Sequence, residues 1–284
     1  MNASSNAAVP SASSRIAFIG GGNMARSLVG GMIRNGASPQ DIDVAEPNAG
    51  LRAALAHDFH VGTHAENEDA AQSADVLALA VKPQMMKTVC AGLSAIVQAR
   101  KPLVISIAAG IRIDQLEHWL GGAVAVVRCM PNTPALIGAG ATGMCANTRV
   151  DASRRALAQN ILGATGLSLW IDDEALMDTV TALSGSGPAY FFLLVEALED
   201  AAVAQGLPRT TARALAVHTC AGAGRMLAED GAAPAALRER VTSPNGTTQA
   251  ALESFAAGDF RAIVASAIAV ATARGRELSS EFGS

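Results

Sequence analysis

Arg15-Ile16-Ala17-Phe18-Ile19-Gly20-Gly21-Gly22-Asn23-Met24-Ala25 decides the fold of this chain. A short apolar run of branched and aromatic side chains ends in glycines and passes directly into a helical pattern, which predicts a strand, a tight turn and a helix. Gly20, Gly22 and Ala25 match G-x-G-x-x-A, with Asn23 and Met24 in its variable positions. In such a turn the first glycine takes a backbone angle closed to other residues, and the second leaves space for a pyrophosphate. The small third residue lets helix pack on strand. The helix start adds free N–H groups and a partial positive charge. Gly20, Gly22, Asn23, Met24 and Ala25 are therefore expected to bind a dinucleotide, NADPH or NADH.

Outward from this turn, the runs RIAFIG, DIDVAE, ADVLALAV, PLVISIA, AVAVVRCM, ATGMCAN and GLSLWI alternate with helical patterns as far as about residue 171. That alternation builds βαβ units, and continuous apolarity marks strands covered by helices on both faces. The expected architecture is an α/β Rossmann domain with a doubly wound, mainly parallel sheet over residues 15–172, then an all-helical domain over 173–284. Beyond Asp172 no strand pattern stands out. Alanine, 60 of the 284 residues, favours helix and close helix approach there, for a monomer core or a dimer. Residues 1–14 are small and polar, without the basic-then-apolar order of a secretory signal, and read as a disordered tail.

Composition removes other classes. The net charge of −4, with no basic block, argues against a nucleic-acid partner. The apolar stretch 262–273, flanked by Arg261 and Arg274, is shorter than the ~20 residues a membrane crossing needs. Cys90, Cys129, Cys145 and Cys220 lie far apart without a C-x-x-C pair, so neither a disulfide framework nor a metal site is expected. Reduced thiols fit a cytoplasmic protein.

Further cofactor contacts are expected where strands end. Glu46 closes the second strand, twenty-six residues beyond Gly20, where an acidic side chain binds ribose hydroxyls and favours NADH. Arg52 follows closely and, folded back, would neutralise the ribose phosphate of NADPH; otherwise it is a solvated helix residue. Ala80-Val81-Lys82-Pro83 and Ala108-Ala109-Gly110 end two more strands and are expected to border the dinucleotide. Lys82 is either a contact or a surface charge.

A dinucleotide implies hydride transfer, and the inventory of proton donors is short. The three lysines (Lys82, Lys87, Lys101) lie in the first half, Tyr190 is the sole tyrosine, and His218 the sole histidine beyond Trp119. Reducing a ketone creates an alkoxide that needs a positioned donor, whereas a protonated imine is simply neutralised by hydride. The chain leans towards an imine substrate. Leu183-Ser184-Gly185-Ser186-Gly187-Pro188-Ala189-Tyr190 sets Gly and Pro inside a helical stretch, either a helix crossing or kink, or room for a nicotinamide. Val241-Thr242-Ser243-Pro244-Asn245-Gly246-Thr247-Thr248 is a turn opening a helix, either a carboxylate site of free N–H groups and threonine hydroxyls or ordinary capping by Thr247.

FIGGGNMA (18–25), AVKPQ (80–84), RCMPNTPALIGAGATG (128–143), LSGSGPAYFF (183–192) and VTSPNGTTQAAL (241–252) together resemble the pyrroline-5-carboxylate reductase family, over nearly the whole chain. The resemblance implies a Rossmann domain, a helical dimerisation domain, dimers often assembled into decamers, and reduction of 1-pyrroline-5-carboxylate to L-proline by NAD(P)H. By motif position it places Asn67 near the adenosine ribose or its phosphate, and Pro131 and Asn132 of the Met130–Pro134 segment beside the nicotinamide. It implies that Thr248 hydrogen-bonds the ring nitrogen and that the backbone at Gly246, Thr247 and Thr248 holds the carboxylate, with Ser243 of the same turn among the substrate-binding candidates. Asn245 stands where the family commonly has glycine, and asparagine tolerates left-handed angles. Other cyclic-imine reduction, a 3-hydroxyacid dehydrogenase of similar architecture, or dinucleotide binding without catalysis are the alternatives.

Overall fold

The fold was read from a computed structural model, which describes residues 14–283; the expected tail thus lies, but for Ser14, outside the described residues. The strands are β1 (Ile16–Ile19), β2 (Ile42–Ala45), β3 (Gly62–His64), β4 (Val76–Leu79), β5 (Leu103–Ser106), β6 (Ala125–Met130), β7 (Gly140–Ala146) and β8 (Gly166–Trp170). The helices among them are α1 (Asn23–Arg34), α2 (Ala49–Phe59), α3 (Asn67–Ala71), α4 (Pro83–Arg100), α5 (Ile113–Trp119) and α6 (Ala152–Gly163). After β8 the described chain is helical: α7 (Met177–Val180), α8 (Gly187–Ala204), α9 (Arg209–Glu229), α10 (Pro234–Arg240), α11 (Thr247–Ala257) and α12 (Phe260–Gly283).

The strands form one sheet in the order β3-β2-β1-β4-β5-β6-β7-β8. Successive strand residues face opposite sides, so β1, β2, β4, β5, β6 and β7 each feed two cores. Ala17, Ile19, Leu77, Leu79, Val104 and Val126 pack with Met86, Leu93 and Val97 of α4 and Leu116 of α5. Phe18, Val76, Ala78, Ile105 and Val127 pack with Leu28 and Val29 of α1, Leu55 of α2 and Ile161 of α6. This is the doubly wound arrangement that continuous apolar strands require.

Two strands depart from the sequence pattern. β3 is a three-residue, half-buried edge strand, without the apolar run that would reveal it. β7 runs antiparallel to β6 because the link between them, a 3₁₀ turn at Thr133–Ile137, is too short for the crossover that a parallel pair needs. After α6, β8 returns parallel to β7.

The polypeptide divides into two compact units, Met1–Gly185 with Thr272–Ser284, and Ser186–Ala271. Within the first, a buried Arg128 on β6 donates to Glu174 at 3.1 Å and Asp178 at 3.1 Å. Within the second, α8 and α9 are clasped by Glu199, which is 6% exposed and accepts from Arg213 at 2.8 and 3.0 Å and from Arg209 at 2.9 Å. Arg213 and then Arg209 hold its carboxyl below the ordinary value. No single helix among the described residues is long and apolar enough to cross a membrane; α11 and α12 pass that test only jointly and are bent by 54° at their break.

Candidate active site

Strand register assembles the nucleotide half of the site. His64, Ala45, Ile19, Leu79, Ser106 and Arg128 lie in one row across β3, β2, β1, β4, β5 and β6. The segments just beyond this row therefore share one edge of the sheet: Gly20–Ala25, Glu46, Asn67, Ala80–Pro83, Ala108–Gly110 and Pro131–Asn132. The crevice between β1 and β4, where chain direction of travel reverses, is the usual ligand position of an open α/β sheet.

Each glycine of the turn has a separate physical reason. Gly20 has φ +101°, and a Cβ there would lie 2.7 Å from the Ala80 carbonyl oxygen. Its N–H donates to Ala45 at 2.8 Å, tying the turn to β2. At Gly21 a Cβ would strike Leu55 at 2.7 Å and Glu46 Cβ at 3.1 Å. Gly22, the N-cap of α1, is exposed, and a Cβ there would meet nothing within 4 Å. No side chain caps this helix start, while Ala25 is buried at 1% against the sheet. A tight first glycine, an open second one and uncapped N–H groups fit a dinucleotide pyrophosphate.

Glu46 and Arg52 stand just beyond the C-terminal end of β2. Glu46 Oε2 accepts from Gly21 N at 2.9 Å and Oε1 from Asn48 N at 3.0 Å. Arg52 does fold back: its Nη1 donates to the carbonyls of Glu46 at 2.7 Å and Pro47 at 2.8 Å. Asn67 opens α3 and is half-buried, while Lys82 is exposed at the N-cap of α4. Gly110 has φ +74° and faces Phe282 and Leu278 of α12.

At the end of β6, Asn132 is 9% exposed and both ends of its amide are hydrogen-bonded. Its Oδ1 accepts from Ala141 N at 2.9 Å and its Nδ2 donates to the Ser184 carbonyl at 3.0 Å. It therefore ties the Pro131–Thr133 loop to the π-helical turn Thr181–Gly185. Gly185 is explained by packing, since a Cβ there would lie 2.5 Å from Met130 Cε. Gly and Pro do interrupt the helical stretch: the π-helical turn ends at Gly185, and α8 starts anew at Gly187 with Pro188 in its first turn, so that its missing N–H costs nothing.

In the helical unit, Ser243–Thr248 forms the turn between α10 and α11. Asn245 has φ +59°, the left-handed angle its amide side chain tolerates, and its N–H donates to Gln249 Oε1 at 2.8 Å. Gly246 N donates to the Ser243 carbonyl at 3.0 Å, and Ser243 itself is exposed. Gly246, not Thr247, is the N-cap of α11, with no side-chain cap bond; capping by Thr247 is thereby ruled out. The first N–H groups of α11, as at any helix start, lack intrahelical partners. A cleft of about 580 Å³ between α8 and α9, lined by Phe192, Glu199, Arg213 and Cys220 among others, contains none of these turn residues. His218 is exposed on α9, and Tyr190 is 37% exposed on α8.

Sequence reasoning passed over Gly21 and Asn48. Gly21 sits in the x position of the glycine pattern, and its need arises only from side chains of Glu46 and Leu55. Asn48 caps α2, accepting from Leu51 N at 3.0 Å, and an Asn before a helical run is the signal that could have found it.

Residues 174–278 match the family model for pyrroline-5-carboxylate reductase dimerisation, and residues 15–110 match that for NADP oxidoreductase, coenzyme F420-dependent. The first match makes the helical region a dimerisation domain and the chain a homo-oligomer. The exposure of Phe191 (60%), Phe192 (67%) and Leu193 (65%) along α8 agrees, because large contiguous apolar surface seeks a partner. A pyrroline-5-carboxylate reductase of Haemophilus influenzae is 43% identical over 94% of this chain and 98% of its own length. The solved structure of a pyrroline-5-carboxylate reductase from Coxiella burnetii superposes with a TM-score of 0.91 at 43% identity, covering 94% of this chain and 99% of that one. That of Plasmodium falciparum pyrroline carboxylate reductase, with NADP bound, gives 0.81 at 28% identity, covering 94% and 98%. With a pyrroline-5-carboxylate reductase of Pseudomonas aeruginosa 50% identical over 95% of the chain and 98% of that relative, this chain belongs to the pyrroline-5-carboxylate reductase family.

Proposed function

We propose that the enzyme reduces 1-pyrroline-5-carboxylate to L-proline with NADPH or NADH, the last step of proline synthesis. The observation that carries this reading is family likeness from end to end, joined to a glycine turn whose second glycine opens onto free space at an uncapped helix start. When bound, the reduced nicotinamide supplies hydride to the imine carbon.

The chain's own residues bind, orient and shield. Gly20, Gly22, Asn23, Met24 and Ala25 receive the pyrophosphate. Glu46 and Asn67 receive the adenosine ribose, Arg52 braces the loop that carries Glu46, and Ala80–Pro83 and Ala108–Gly110 border the nucleotide. Pro131 and Asn132 wall the nicotinamide, and the two hydrogen bonds of the Asn132 amide hold that wall in place. In the helical unit, the backbone at Gly246, Thr247 and Thr248, beside Ser243, holds the substrate carboxylate, with the N–H groups of Thr247 and Thr248, which as the first of α11 lack intrahelical partners, as donors. The Thr248 hydroxyl hydrogen-bonds the ring nitrogen. A protonated imine needs no strong acid, which suits a site whose chain offers so few lysines, histidines and tyrosines. The protein acts in the cytoplasm as a homodimer able to build a decamer.

The test is product identity. With 1-pyrroline-5-carboxylate and either reduced nucleotide, chiral chromatography is expected to show L-proline in proportion to nucleotide oxidised. Nucleotide binding without proline would overturn the reading.

A further inference from the structure

We propose that Glu46 makes this enzyme select NADH over NADPH, with Arg52 serving the loop and not a ribose phosphate. The inference rests on the dinucleotide reading above and assigns the nucleotide that the same site prefers. An ionised carboxylate has about four acceptor positions. In Glu46 one on each oxygen is filled, Oε2 by Gly21 N at 2.9 Å and Oε1 by Asn48 N at 3.0 Å. Each oxygen keeps one free, which suits the two hydroxyl donors of an unphosphorylated ribose.

The side chain is also held in place before any nucleotide arrives. Its stem lies so close to the glycine turn that a Cβ at Gly21 would stand 3.1 Å from Glu46 Cβ, and Glu46 N donates to the His64 carbonyl at 3.0 Å. The carboxylate therefore cannot swing away from a 2′-phosphate without giving up two backbone hydrogen bonds. Such a phosphate carries about −1.5 to −2 charges and offers Glu46 acceptors where donors are needed.

Arg52 is the counter-argument, and the two bonds that anchor it on the loop leave it only Nε and Nη2 to offer a phosphate. Its Nη1 is spent on the carbonyls of Glu46 and Pro47, so the guanidinium braces the β2–α2 loop that carries Glu46. One arginine against one carboxylate leaves this rim near neutral without a phosphate and strongly negative with one. The neighbouring β3–α3 connection adds Glu66 and the first turn of α3 adds Glu68 and Asp69, all exposed, with no lysine or arginine among residues 62–71.

Titration calorimetry of the full-length protein with NADH and with NADPH tests this without turnover. The wild type is expected to bind NADH at least tenfold more tightly. Glu46→Gln, which keeps an acceptor for Gly21 N but loses the charge, and Glu46→Ser are each expected to lower that ratio tenfold or more. Arg52→Ala is expected to weaken both nucleotides alike, leaving the ratio within twofold. Tighter binding of NADPH by the wild type, an unchanged ratio in Glu46→Gln, or a loss confined to NADPH in Arg52→Ala would each overturn the proposal. The wild-type ratio and Arg52→Ala keep it falsifiable should the Glu46 variants not fold. Failure of the wild type to bind either nucleotide would instead strike down the underlying dinucleotide reading, and this proposal with it.

Discussion

Replacing Gly22 and Gly20 by alanine, one at a time, separates a glycine kept for the ligand from one kept for the fold. Gly22 has φ −69°, an ordinary angle, and its added methyl meets no protein atom within 4 Å. The N-cap preference for glycine over alanine and the reduced entropy of the unfolded chain oppose each other at roughly 1 kcal/mol or less each. Without nucleotide, Gly22→Ala is therefore expected to melt within about 3 °C of wild type. Gly20→Ala forces alanine to φ +101° with its methyl 2.7 Å from the Ala80 carbonyl. The left-handed angle alone costs roughly 1–2 kcal/mol, and the clash adds to it, so Tm falls by at least about 4 °C. In binding, the Gly22 methyl takes the space of a phosphate and costs at least one hydrogen bond to a charged group, about 1.5–3 kcal/mol. That is roughly 10- to 100-fold in affinity for NADH and NADPH alike. Thermal unfolding without ligand and calorimetric titration read the two effects separately. Nucleotide affinity within twofold of wild type in Gly22→Ala would refute the placement of the pyrophosphate.

Three other outcomes follow from the same geometry. Thr248→Ala is expected to lower kcat about 10- to 1000-fold, as for one transition-state hydrogen bond, with Tm unchanged and partial recovery in Thr248→Ser; unaltered turnover would reject the role. Arg128→Met strips the counter-charge from Glu174 and Asp178, a loss of about 3–5 kcal/mol for a broken buried pair; urea unfolding that shows under about 1 kcal/mol would contradict it. Burial pushes the Cys90 thiol from 9.0 up to about 12 and Cys129 higher still. A raised folded value means stability is whole below the unfolded value and drains as pH climbs from about 9 towards 12. The slope is at most about 1.4 kcal/mol per pH unit for each thiol. Cys90→Ala is expected to flatten that decline in urea titrations between these limits, and an equally steep loss would count against it.

The elements legible in the sequence are those whose signal is local. The glycine turn reports backbone angle and space within a few residues, and the continuous apolar strands report helices on both faces. The left-handed Asn245 was legible too, because its side chain has a known tolerance. The remainder depends on partners distant in the chain. β3 has too few residues to carry a period, and the direction of β7 is fixed by the brevity of a connection. Gly185 answers to the Met130 side chain, more than fifty residues away, and Asn132 to the carbonyl of Ser184. The sequence admits the fold-back of Arg52 as one option, but its carbonyl partners at Glu46 and Pro47 emerge only once the β2–α2 loop takes shape.

The most direct measurement is the initial rate of NADPH and, separately, NADH oxidation by purified protein with 1-pyrroline-5-carboxylate, followed by the loss of reduced-nicotinamide absorbance. Substrate-dependent turnover of about 1 s⁻¹ or faster is predicted with at least one nucleotide, with the higher kcat/KM for NADH. Binding of either nucleotide with no turnover of the imine would contradict the account at its centre.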